Sequence, residues 1–135
     1  QAADRCPHLV FLPEAHRSAQ ESNFSSPQTV LDDLLVAGDV AALWAQDALG
    51  GDFRTAFSSR TSNYRTGVSE SALNQYPAEY TREYQGGGVV LGPHLRRGVG
   101  APNDILGIYW YCDSQRRVFV VGHVGRHLRD DSARS

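Results

Sequence analysis

The sequence contains no lysine, so all 13 of its formal positive charges are arginines, set against 15 acidic side chains for a net charge of -2. Without lysine there is no Gly-Lys-Ser/Thr phosphate loop, which excludes nucleotide hydrolysis of that type. The glycines at 86, 87, 88, 92, 98 and 100 do not match a dinucleotide-binding fingerprint either. Cysteine is scarce: Cys6 and Cys112 are too few for a disulfide framework. With no Cys-x-x-Cys or His-Glu-x-x-His spacing, neither a metal nor another cofactor is expected. Cys6 precedes one candidate strand and Cys112 closes another, so a bridge is geometrically open to them if those strands lie side by side, but two ordinary buried or half-buried thiols are the expected case. No apolar run approaches the roughly 20 residues that span a bilayer, and no membrane partner is expected. No Gly-x-Ser-x-Gly elbow supports a serine hydrolase. Methionine is also absent and the chain opens on Gln1, which predicts that a native start has been removed. A cytoplasmic location is expected, with secretion left open by that missing start.

What is present fits one domain: 135 residues, 41% hydrophobic, can bury a core without disulfides or metal. The domain is expected to span 1–135, with 1–7 and 129–135 as frayed tails. His8 to Leu12 reads as a first strand, and Pro13-Glu14 opens a helix to about Ser22. Ser26-Pro27 repeats that signal, and Val30, Leu31, Leu34 and Leu35 recur at helical spacing until Gly38 ends the element. Asp39 is placed to cap a further helix that Gly50-Gly51 stops. Ser58 to Gly67 reads as an exposed loop. Glu70 to Tyr76 and Ala78 to Gln85 read as short helices broken by Pro77, or equally Tyr76, Tyr80 and Tyr84 at four-residue steps form one aromatic face. Val89 to Leu91 is a strand, and Leu95 to Asp104 a Gly- and Pro-interrupted connection. Two apolar strands joined by a turn at Asp113, Ser114, Gln115 and Arg116 form a closing hairpin from Ile105 to His127. This order predicts an α+β domain with helices packed on one face of a small antiparallel sheet.

The hairpin runs out into His123, Arg126 and His127. Imidazoles titrate near neutrality and a guanidinium grips phosphate through two parallel bonds, so this trio suits phosphodiester chemistry. RNA cleavage needs a base for the 2'-hydroxyl, an acid for the departing 5'-oxygen and cations for the charge on phosphorus oxygens. Two histidines and an arginine supply all of these without a metal; the bland alternative is a hydrogen-bonded sheet histidine beside a solvated strand end. In a regular strand His123 shares its side with Phe119 and Val121, whereas a bulge at Gly122 or Gly125 re-aims it. His94, Arg96 and Arg97 form a second polar cluster suited to holding phosphate, or serve as ordinary surface. Tyr109 and Tyr111 share one strand face, where they stack bases or fill the core, and Trp110 belongs to the core. The net charge argues against non-specific coating of nucleic acid. Acidic residues gather up to Asp52 and at Asp130 and Asp131, whereas Arg96, Arg97, Arg116, Arg117, Arg126 and Arg129 concentrate toward the C-terminus.

Two pieces, HLVFLPEAHRSAQE (His8 to Glu21) and GIYWYCDSQRRVFVVGHVGRHL (Gly107 to Leu128), resemble the opening strand-helix step and the terminal hairpin of the RelE/ParE-type toxins. The resemblance implies a RelE-like fold, RNA as partner, endoribonuclease activity and a neutralising protein partner. His123, Arg126 and His127 would then be catalytic, with His94, Arg96, Arg97, Tyr109 and Tyr111 binding substrate. The alternative is a non-catalytic binding or assembly module that grips an anionic group on a protein or small molecule. A small-molecule enzyme with its pocket between helices and sheet is a third reading.

Overall fold

The aromatic and β-branched run of the closing segment folds into the longest hairpin of the protein, β6 (Leu106–Asp113) and β7 (Val118–Arg126), around which the other elements are arranged. A computed structural model describes residues 6–21, 27–98 and 105–129. Before the hairpin come β1 (Leu9–Phe11), α1 (Pro13–Glu21), α2 (Pro27–Ala45), α3 (Phe53–Ser58), β2 (Tyr64–Arg65), α4 (Glu70–Gln75), α5 (Pro77–Tyr80), β3 (Thr81–Tyr84), β4 (Gly87–Val90) and β5 (His94–Arg97). The main sheet has the order β1-β7-β6-β5-β2, and β3-β4 form a separate two-stranded ribbon. Among the described residues only the β1-β7 pairing is parallel, so the sheet is dominated by antiparallel pairs and the domain is α+β, as the element order predicts. Among the described residues no helix is long and apolar enough to cross a membrane.

The two faces of the sheet carry different layers. Ile108, Trp110, Phe119 and Val121 pack with Leu95 against Leu34, Ala37, Val40 and Ala41 of α2 and Phe57 of α3. Aromatic rings bind this layer together: Phe57 stacks on Tyr64 at 4.2 Å and Trp110 on Phe119 at 5.0 Å. On the opposite face Tyr109 packs with Ala72, Tyr80, Leu91 and Leu128. This second core is supplied by the short helices α4 and α5 and the segments that follow the ribbon and β7.

Several elements depart from the sequence reading, each for a tertiary reason. The helix expected to end at Gly38 runs through to Ala45. Gly38 is buried, and a Cβ there would strike Cys6 Sγ, so this glycine admits the N-terminal segment to the helix rather than ending it. The helix expected from Ala78 to Gln85 turns into β3 after Tyr80, because Thr81 to Tyr84 pair with Gly87 to Val90. Gln85 and Gly86, at φ 54° and 79°, make the left-handed turn that this hairpin requires. The expected connection after Leu95 begins as β5, which pairs with β6, and the expected loop from 58 to 67 contains β2, which pairs with β5.

No disulfide joins Cys6 to Cys112, and burial pushes the Cys112 thiol pKa up to about 11. The expected frayed tails lie largely outside the described residues. Of the rest, Cys6 is buried and Arg129 is held by Glu79.

Candidate functional site

Strand pairing determines which side of the sheet His123 occupies. Trp110 pairs with Val121 and Tyr109 with His123, so Gly122 is an extra residue in β7, a β-bulge. The insertion reverses the alternation: Phe119 and Val121 face α2 and α3, and His123 faces Tyr109 on the other side. His123 therefore does not share its side with Phe119 and Val121, as a regular strand would have it. Arg82 of β3 reinforces the bulge by donating from Nε to the Gly122 carbonyl at 3.0 Å. A Cβ on Gly122 would lie 2.7 Å from Leu91 Cδ2 and 3.1 Å from Arg82 Cγ. Because Leu91 is fully buried, Gly122→Val is expected to cost about 1–3 kcal/mol by overpacking. Urea unfolding measures that loss; an unchanged midpoint would mean that the ribbon yields freely.

Tyr109 is the hub of the site. It is fully buried, and three imidazoles, one from β5 and two from the end of β7, surround it together with Tyr80. His94 from β5 lies flat on the Tyr109 ring at 4.4 Å and 15°. His123 meets the ring edge-on at 5.9 Å, and His127, just past β7, approaches it at 5.9 Å and His94 at 6.0 Å. Gly107 makes the space: a Cβ there would stand 2.7 Å from Tyr109 Cε1 and 3.2 Å from His127 Cα.

Hydrogen bonds orient two of the imidazoles. A carbonyl can only accept, so His94 Nδ1–H donates to Gly92 O at 2.9 Å and His123 Nε2–H donates to Arg126 O at 2.7 Å. In the neutral His123 ring this leaves Nδ1 as the basic nitrogen. Desolvation is the main cause that lowers the His123 pKa below its ordinary value, with the nearby Arg82 and His127 acting in the same direction; the Arg126 carbonyl and Glu79 oppose it. A histidine with a depressed folded pKa binds fewer protons than the unfolded chain does. Its contribution to stability is thus present above the unfolded value near 6.5 and lost as pH falls through the lower folded value. Melting temperature is expected to drop as pH goes from about 7 to 5, less steeply in His123→Gln. Equal slopes for the two proteins would mean that another group governs the acid limb.

The remaining candidates separate. Arg97 belongs to the other face, where Nε and Nη2 form a fork on the Asp33 carboxylate of α2 at 3.0 and 2.6 Å. Arg96 alternates onto the His94 face and is half-buried opposite Gly107. Arg126 places its carbonyl in the site, and its exposed side chain alternates to the Val124 side. Tyr111 is half-buried against Tyr84, and Tyr109 is too deeply buried for a base to stack on it. Sequence reading missed Glu79, Tyr80, Arg82 and Arg129. The four-residue tyrosine spacing does flag Tyr80, but as one helical aromatic face, which the turn into β3 breaks. Among the described residues no group of three His, Cys, Asp or Glu is arranged to hold a metal ion. No family model, curated protein or solved structure matches the chain.

Proposed function

We propose that the Tyr109 face binds RNA and cleaves it by metal-independent acid–base transfer. His123 Nδ1 takes the 2'-hydroxyl proton as the oxygen attacks phosphorus, and His127 returns a proton to the departing 5'-oxygen, leaving a 2',3'-cyclic phosphate. Arg96 supplies positive charge on the same side of the sheet. The observation that carries this reading is the gathering of His94 from β5 with His123 and His127 from the end of β7 around one tyrosine. Lowering of the His123 pKa suits a base, because it keeps the ring neutral at neutral pH. The resemblance of the opening and closing segments to RelE/ParE-type toxins adds a neutralising protein partner to the proposal.

A second reading is favoured by one specific feature. His94 is buried and stacked flat on Tyr109, an imidazole used for packing. On this reading the face is a binding or assembly module for an anionic group. The two readings are distinguished by incubating single-stranded RNA with the protein from about pH 5 to 8, with gel-shift binding measured in parallel. Cleavage that needs both His123 and His127 supports the enzyme; RNA bound but intact at every pH supports the module.

A further inference from the structure

Beyond β7 the chain does not run off the sheet. His127 donates its backbone N–H to Ile105 O at 2.8 Å, and Leu128 is buried with Ala72, Tyr80, Leu91 and Tyr109. Arg129 is then gripped from α5 and the turn before it. Its backbone N–H donates to Glu79 Oε1 at 3.0 Å, its Nε donates to Glu79 Oε2, and its carbonyl accepts from the Tyr80 hydroxyl at 2.6 Å. Its guanidinium lies over the Tyr76 ring at 4.6 Å. The residue two places before this grip is His127, whose ring faces Tyr109 and His94.

We propose that Glu79 is a positioning residue for His127, acting through Arg129 to draw the chain end across the second core and fix the imidazole at Tyr109. This rests on the acid–base reading of the site for its catalytic consequence, but not for its geometry. The carboxylate suits the task because it accepts from the Arg129 backbone and side chain at once. Glutamine offers one oxygen and turns its own donors toward the guanidinium. A partly exposed ion pair adds little to stability, so a merely structural Glu79 would leave catalysis nearly untouched in a folded variant. Small misplacement of a catalytic group, by contrast, costs about 10²-fold in rate.

The test compares the full chain with Glu79→Ala and Glu79→Gln. In Glu79→Ala, kcat for RNA cleavage is expected to fall about 10²-fold with KM little changed; Glu79→Gln recovers part of the loss. In the RNA-free proteins, the nuclear Overhauser contact between the His127 and Tyr109 rings is expected to weaken in the same order. If that contact is unchanged in a folded Glu79→Ala protein, the positioning role is overturned whatever the RNA does. If the contact is lost and no protein, parent included, cleaves RNA, the positioning role stands and the nuclease reading falls. Should Glu79→Ala fail to fold, Arg129→Ala removes the same ion pair and is read by the same contact.

Discussion

An Arg97→Ala protein is expected to melt about 10 °C below its parent while the RNA affinity proposed for the Tyr109 face is unchanged. Its partner, Asp33, sits on the inner side of α2 with its side chain 2% exposed, and the Arg97 fork meets both carboxylate oxygens. Removing the guanidinium strands a charged carboxylate between helix and sheet, a loss of about 3–5 kcal/mol for a fully buried pair. Arg97 itself is 43% exposed, so water reaches its end of the bridge and the lower end of that range applies, about 3 kcal/mol. Lysine at this position keeps the charge and loses the fork, so Arg97→Lys should fall between the two. RNA affinity is expected to hold because alternation along β5 puts Arg97 on the face opposite His94. If RNA binding falls with Arg97→Ala at a temperature where the protein is fully folded, the assignment of the two faces is wrong.

That separation of Arg97 from His94 shows what was legible in the sequence and what was not. Local signals resolved well. Proline at the first helical position marks both α1 and α2, and the Asp113 turn joins two strands whose apolar content identifies them without help. Short strands were lost, because β2, β3 and β5 span two to four residues rich in Tyr, Arg and His. Over so few residues a period of two cannot be told from no period, and pairing with β5, β4 and β6 respectively decides the structure. Gly38 reads as a helix stop by propensity and is overruled by the close approach of Cys6. In the site, the grouping of His123 and His127 was visible because they are neighbours in sequence. The arrival of His94 depends on β5 pairing, and the grip of Glu79 on Arg129 joins residues 50 apart in the chain. Gly122 gave a partial signal: its presence in a β-branched strand allows a bulge, but only the register with Tyr109 and Trp110 establishes that one occurs and which way His123 turns.

The acid–base proposal makes the largest quantitative demand of all. Replacing His123 or His127 by alanine is expected to lower kcat for RNA cleavage by roughly 10²–10⁴-fold, the range for loss of a positioned proton-transfer group. The double variant should lose far less than the product of the two, because a base and an acid that serve one displacement act as a unit. The pH profile assigns the roles. A base must be unprotonated, so His123 governs the acidic limb. Burial holds its pKa below the ordinary imidazole value, which extends that limb to lower pH than a solvated histidine would. His127 must be protonated to serve as the acid and governs the alkaline limb. His123→Ala is therefore expected to flatten the acidic side, and His127→Ala the alkaline side. Reversal of the two limbs would exchange the roles, whereas residual cleavage with an unaltered profile in both variants would expose a contaminating nuclease. RNA left intact by the parent across the whole range, with the fold verified by its melting curve, would leave the imidazoles around Tyr109 as the binding surface of the second reading.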